Sequence, residues 1–349
     1  MKEVAVIPGI AILKTKVSLL FGFKFSTYVP NYKFKHLRLN SEKNKISIEY
    51  VVDDKITRIR NLPKTQFYNY YETDLGDIYY SHSLGWKLRA NFMLRCEKYS
   101  DKCRIKMIVN TLYHKLIRTP IGNILPPGSH LNNVLCIALL ENSLAPLHAS
   151  AFSYKGEGTV IFAPSDTGKT SCVLHATINR GCKFLSEDIA VTNGDEIYSC
   201  PFTFSSNKYI NNKNFFCILQ KISDAIPIVR NYFNFWPIIR VTMPSIVGEK
   251  NIEPKAKIKR ILVLKRGMKN KSRRLGEAEA IDCILNLNRS EFPYSDLLLH
   301  ALHYFGKVNL FELMNREKNI IANMVSNAEE ILLLEGNREF FITKINEIV

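Results

Sequence analysis

Apolar residues recur in two rhythms along this chain, and the change of rhythm falls near residue 126. From about residue 15 to 110, short runs such as "KISIEYVV", "DIYYSHS", "LGWKLRANFMLR" and "CRIKMIV" alternate apolar and polar positions between polar breaks. Alternation with β-branched and aromatic residues is the pattern of strands with one face in a core. The proline- and glycine-rich stretch "TPIGNILPPGSH" then interrupts, and "HLNNVLCIALLENSLA" places Leu131, Val134, Leu135, Ala138 and Leu139 at helical spacing. A boundary is expected around Pro126 to Gly128, with a β-rich module over 1–125 and a second domain over 126–349.

The second domain opens with a strand in "LHASAFSY", a turn at Gly156-Glu157-Gly158, a strand "GTVIFAP" and a polar loop. A helix from about Lys169 to Asn179 and a strand in "CKFLSEDIAVT" follow. Strand, loop, helix and strand make one α/β unit, so the expected fold class is α/β with a strand-rich α+β module in front. Residues 207–248, including "NYFNFWPIIR", show no period. Order returns with a strand "KIKRILVLKRG", helices over 277 to about 304 and 314 to about 329, a strand "EILLLEG" and a terminal helix. At the start, "VAVIPGIAIL" reads as a strand pair: it is too short to cross a bilayer and no A-x-A cleavage site follows it.

Composition narrows the partners only in part. A formal charge of +16 attracts anions, whether nucleotides, acidic peptides, nucleic acid or an anionic membrane face. The lysines are spread along the whole chain, however, and no helix-turn-helix, zinc-finger or RNA-recognition signature accompanies them, so nucleic acid is not the expected partner. No run of 18 residues is apolar without a charge, and no membrane span is expected. The eight cysteines form no C-x-x-C pair and no zinc spacing, which reads as reduced thiols in a cytoplasmic protein.

The stretch that carries chemistry is "VIFAPSDTGKTS", residues 160–171. Gly168, Lys169 and Thr170 match the end of a phosphate-binding loop, while Ala163 stands where the first glycine is usual. A Gly-Lys-Ser/Thr tripeptide alone arises by chance in roughly one chain in five of this length. The context is more specific: an apolar strand precedes the loop and a helix follows, so backbone N–H groups converge on an anion. Ser165, Asp166, Thr167, Gly168, Lys169, Thr170 and Ser171 are the expected nucleotide-binding residues. Lys169 is expected to neutralise phosphate oxygens and Thr170 to hold Mg2+. Asp166, an acid in an anion cradle, is expected to point outward. Downstream, "NRGCKFLSEDIAV" ends a strand in Glu187 and Asp188, and upstream His148 sits in "PLHASAF".

In order, "LHAS", a glycine turn, "VIFAPSDTGKTS" and "RGCKFLSEDIAV" resemble the catalytic core of the HPr kinase/phosphorylase superfamily, over about residues 145–200. The closing "ILVLKRG", "GEAEAIDCIL" and "ILLLEGNREFFITKINEIV" look like the tail of its smaller serine-kinase members. The resemblance implies transfer of the γ-phosphoryl of ATP, or of another nucleoside triphosphate, to a serine-type hydroxyl, with Mg2+. It implies Glu187 as the acid that takes the acceptor proton, His148 as its positioning partner, Lys169 on the phosphates, and Thr170 with Asp188 on the metal. The glycine- and arginine-rich C-terminal signature of the regulatory HPr kinases is absent, so HPr is not the expected acceptor. By layout the expected acceptor is a ribosomally made precursor peptide, of the lasso-peptide type with a C-terminal serine, and the superfamily implies homo-oligomers. Two alternatives stay open: a kinase of free serine, and a weakly catalytic nucleotide-binding protein that recognises a peptide. The second is motivated by Ala163, Asp166 and by glutamate at 187, where the family carries aspartate.

Overall fold

The alternation in the first hundred residues is realised as one mixed sheet. The computed structural model describes residues 2–17, 20, 23–26, 45–58, 66–84, 88–99, 102–115, 127–201, 243–292, 294 and 296–349. Most of the unassigned aromatic stretch, residues 207–242, lies outside them, as does Cys217. The strand pair expected at the start is β1 (Lys2–Ile7) against β2 (Ala11–Thr15). Then come β3 (Ile46–Val52), β4 (Gln66–Phe67), β5 (Tyr70–Glu72), β6 (Ile78–Ser83), β7 (Arg89–Tyr99) and β8 (Lys102–Val109). Their spatial order is β1-β2-β3-β8-β7-β6-β5-β4. In β3 the period of two is direct: Ile46, Ile48 and Tyr50 are buried, and the residues between them are half-buried.

A short helix α1 (Thr111–Lys115) ends this part, and α2 (Pro127–Glu141) leads into the second. Helix α2 touches β8 on one side and the elements of the second sheet on the other, and its buried Leu131, Val134, Leu135, Ala138 and Leu139 are those at helical spacing.

The second sheet has nine strands. They are β9 (Ala145–Leu147), β10 (Ala149–Tyr154), β11 (Glu157–Phe162), β12 (Lys183–Ser186), β13 (Ala190–Thr192), β14 (Glu196–Tyr198), β15 (Lys255–Arg266), β16 (Lys271–Arg274) and β17 (Glu330–Gly336). The helices are α3 (Lys169–Arg180), α4 (Met243–Val247), α5 (Glu277–Glu291), α6 (Leu297–Tyr304), α7 (Leu310–Asn327) and α8 (Arg338–Ile348). The helical stretch expected over 277–304 is two helices, because Asp296 opens a new one by accepting from Leu298 N at 2.8 Å. Helix α7 starts four residues before the expected 314, where Asn309 caps it by accepting from Glu312 N.

Strand directions decide where a site can form. Strands β11, β15 and β17 are mutually parallel. Strand β10 runs antiparallel to both β11 and β12, so β12 points the same way as β11. Four carboxyl ends and the amino end of β10 therefore lie along one rim of the sheet, the place where open α/β sheets bind ligands. No helix among the described residues is long and apolar enough to cross a membrane. Each described cysteine is a free thiol.

His130 on α2 is packed into rings from the first sheet, with centroids 5.0 Å from Phe92 and 6.1 Å from Tyr80. It is 3% exposed, and its Nδ1 has no hydrogen-bond partner among the described residues. Burial lowers its pKa to about 4. A depressed histidine favours folding above its unfolded pKa near 6.5 and loses that contribution as pH falls toward 4, because the unfolded chain then binds a proton the folded chain refuses. Stability measured by urea unfolding should drop by on the order of 3 kcal/mol over that window from this residue. The drop should be smaller in His130→Phe, and an equal drop in the variant would assign the pH dependence elsewhere.

Candidate active site

The loop after β11 is built around one buried ammonium. Lys169 is 7% exposed, and its Nζ donates to Ala163 O at 2.6 Å, to Pro164 O at 3.3 Å and to His148 Nε2 at 2.9 Å. Three donors meet three acceptors, so the charge is buried without an unmade hydrogen bond. Burial lowers the pKa of Lys169 against the opposing pull of Asp188, Glu291, Glu187 and Asp166. Ala163 is fully buried at the strand end and keeps an ordinary negative φ, so its backbone makes no demand for glycine. Gly168 has φ 132°, a conformation that side chains rarely adopt, and there the glycine is required. Asp166 sits at φ 59°, exposed, with its carbonyl accepting from Arg266 Nη2.

The two carboxylates after β12 go to different partners. Asp188 is at φ 66°, and the chain turns there, with Ile189 N donating to Glu187 O at 2.8 Å. The turn separates the adjacent side chains. Glu187, 1% exposed, accepts from Thr170 Oγ1 at 2.5 Å. Asp188 lies 3.4 Å from His148 Nδ1. The expectation from sequence paired them the other way, Glu187 with the histidine and Asp188 with Thr170.

His148 stands at the amino end of β10 and is 2% exposed. Burial first, and the Lys169 charge next, lower its pKa, which favours the neutral ring. Because Lys169 donates to Nε2, the neutral ring carries its proton on Nδ1, facing Asp188. Asn288 fixes the backbone here. Its Oδ1 accepts from His148 N at 2.7 Å, and its Nδ2 donates to Pro146 O at 3.0 Å and to Glu317 Oε1 at 2.6 Å. Glu317 also accepts from Arg289 Nε at 2.9 Å and from Tyr294 OH at 3.1 Å.

In front of these groups is a cavity of about 680 Å³, within the range of roughly 300–1,000 Å³ usual for small-molecule sites. All seven residues from Ser165 to Ser171 line it, with Glu187 and Asp188. Arg266 at the end of β15 with Gly267 after it, and Gly336 at the end of β17 with Asn337 and Arg338 after it, line the cavity as well. Gly336 lets the wall close up, since a Cβ there would stand 2.5 Å from Asn270 Oδ1 and 2.7 Å from Phe340 Cδ1. Glu291, at the end of α5, completes the lining: its Oε1 accepts from Ser165 Oγ at 3.2 Å and its Oε2 accepts from Lys24 Nζ at 2.9 Å. Of the residues expected from the motifs, all but His148 line the cavity, and His148 stands behind Lys169 and Asp188. Arg266, Arg338, Glu291 and Lys24 were not expected. The two arginines follow parallel strands, and the strand-end rule could have found them; nothing local marks Glu291 or Lys24.

Thr170 and Glu187 present hard oxygens suited to Mg2+, which takes one or two protein ligands and phosphate oxygens in nucleotide sites. Among the described residues no group of three or more His, Cys, Asp or Glu has metal-holding geometry.

No protein-family model matches this chain, and no curated protein matches it. Among solved structures it is similar to the HPr(Ser) kinase/phosphatase from Coxiella burnetii, at 12% identity over 37% of this chain and 77% of that chain, with a TM-score of 0.23. Likeness at that level says nothing of activity or substrate, which have to come from the residues themselves.

Asn288→Ala should lower stability by about 2–4 kcal/mol in denaturant unfolding, because it strands the His148 N–H, the Pro146 carbonyl and one oxygen of Glu317 in the interior. A loss under about 1 kcal/mol would mean that water replaces the amide.

Proposed function

We propose that this chain is a kinase that moves the γ-phosphoryl of ATP, or of another nucleoside triphosphate, to a serine-type hydroxyl. The observation that carries this reading is the division of the strand-end carboxylates, Glu187 to the hydroxyl of Thr170 and Asp188 to the histidine. One acid on the loop threonine and one beside a neutral histidine match the two needs of phosphoryl transfer, a metal anchor and a proton acceptor. The α/β core and the motif order of the HPr kinase/phosphorylase superfamily agree with it.

In this reading the phosphates lie along the loop N–H groups and the start of α3, and Lys169 turns from the carbonyls of Ala163 and Pro164 to the phosphate oxygens. Arg266 and Arg338 hold the outer phosphates or the nucleotide's ribose side. Thr170 and Glu187 hold Mg2+, which when bound screens the phosphate charge. Asp188 takes the proton of the attacking hydroxyl, and His148 Nδ1, 3.4 Å away and making no hydrogen bond among the described residues, is placed to bond its carboxylate when the site fills. His148 acts as a positioning group.

The acceptor class rests on the first sheet. A precursor peptide fits a strand-rich module beside the site, because an open sheet edge offers main-chain hydrogen bonds to an extended chain. The module over 1–125 is thus assigned to acceptor recognition and 126–349 to catalysis. Free serine is the second reading, favoured by a site whose carboxylates and arginines could hold an ammonium and a carboxylate at once.

Incubation with Mg2+-ATP and candidate acceptors, followed by mass analysis, should show an added phosphate. Lys169→Ala should slow transfer by about 10²-fold or more with the fold intact. Asp188→Asn should lower kcat by a similar factor with an unchanged Mg2+ requirement, whereas Glu187→Gln should raise the Mg2+ concentration for half-maximal rate. The opposite pattern would exchange the two acids, and wild-type rates in both would remove them from the chemistry.

A further inference from the structure

The cavity's proton-acceptor side is crowded with negative charge. Asp188, Glu291, Glu187 and Asp166 all act on Lys169, and a transferring phosphoryl group adds more. Arg266 is engaged with the Asp166 carbonyl and Arg338 opens α8, and they come at the end of β15 and after β17, on the side of the loop away from Glu187 and Asp188. A cation does stand on the acceptor side, and it comes from the other sheet's part of the chain. Lys24 lies between Phe23 and Phe25, both fully buried, so its backbone is pinned by the rings on either side. Its N–H donates to Asn132 Oδ1 at 2.9 Å, and its Nζ lies 5.7 Å from the centroid of Phe292. The Nζ is also 2.9 Å from Glu291 Oε2, while the other oxygen of that carboxylate meets Ser165 in the loop and lies 3.9 Å from His148 Nε2. One carboxylate therefore separates the Lys24 ammonium from the loop.

Given the kinase reading, the geometry points to Lys24 as a further catalytic residue, a lysine supplied in cis by the N-terminal module that neutralises the phosphoryl group in flight, with Glu291 holding it ready. During transfer the bond from Pγ to the β,γ-bridging oxygen breaks and its electron pair leaves with the diphosphate. A bond forms from the acceptor oxygen to Pγ, and the acceptor's proton goes to Asp188. Lys169 and Lys24 then neutralise the charge on the equatorial oxygens, the task that a supplied arginine performs in other phosphoryl-transfer enzymes. The lysine stem is half-exposed, and among the described residues its head is bonded to Glu291 and lies over the Phe292 ring, so it can swing by a carboxylate's width. This also gives the N-terminal module a part in the chemistry besides acceptor choice: its position sets whether the ammonium reaches the site.

The test uses the full chain and Lys24→Met, which keeps the stem against Phe292 and removes the charge. With Mg2+-ATP and water as acceptor, turnover should fall by about 10²-fold or more while the nucleotide KM stays within about twofold. Binding of ADP with aluminium fluoride, a mimic of the transferring group, should weaken by a comparable factor, and binding of ADP alone should not change. Lys24→Arg should recover most of the loss. The double variant Lys24→Met with Glu291→Gln separates a catalytic charge from a mere counter-ion: it should stay as slow as Lys24→Met, and recovery to the wild-type rate would overturn the inference. Equal weakening of ADP and of the aluminium fluoride complex, or unchanged turnover in Lys24→Met, would overturn it too. If the wild-type chain neither binds ADP nor hydrolyses Mg2+-ATP, the kinase reading fails and this assignment with it; an active wild type beside an equally active Lys24→Met sinks the assignment alone.

Discussion

The buried ammonium of Lys169 ties the site together. It has three N–H donors, and the structure supplies two loop carbonyls and one imidazole nitrogen to receive them. A buried donor left without its acceptor costs about 1–3 kcal/mol, so these contacts hold the loop, the β9–β10 corner and the helix start to one another. The tautomer of His148 follows from the same contact, and so does the direction of its remaining proton.

Behind that contact is a second polar layer with no water-facing excuse for existing. Asn288 is fully buried and Glu317 nearly so, and between them they bind a strand carbonyl, the His148 N–H, Arg289 and Tyr294. Aliphatic side chains would fill the same space at less desolvation cost. The network's product is position: it joins α5 and α7 to the corner where the histidine begins β10. The net charge of +16 gives a poor picture of this region, because the cavity gathers acids on one side and arginines on the other.

Several elements were legible before the fold was known because their causes are local. The strand pair at the start, β3, β6, β7 and β8 follow from alternation, and α2 and α3 from apolar spacing. The loop follows from glycine and lysine between a buried strand and a helix. Apolar spacing continues from α5 into α6, so the separation of the two helices is marked instead by Pro293 in the sequence and by the Asp296 cap. The contacts of the two acids differ from the expected pairing for a related reason. Alternation on a strand says that Glu187 and Asp188 face apart, but the left-handed turn at Asp188 decides what each one meets.

By itself the sequence determined the class of most elements and a loop of glycine and lysine between a buried strand and a helix, since these depend on neighbours a few positions apart. Only the tertiary structure decided which acid meets the threonine and which the histidine, that arginines 266 and 338 face the loop, and that Lys24 reaches Glu291 across 267 positions of chain. Contacts at that separation depend on strand order and helix placement. Those are settled by how the whole set of apolar faces is buried, and no short stretch of residues encodes them.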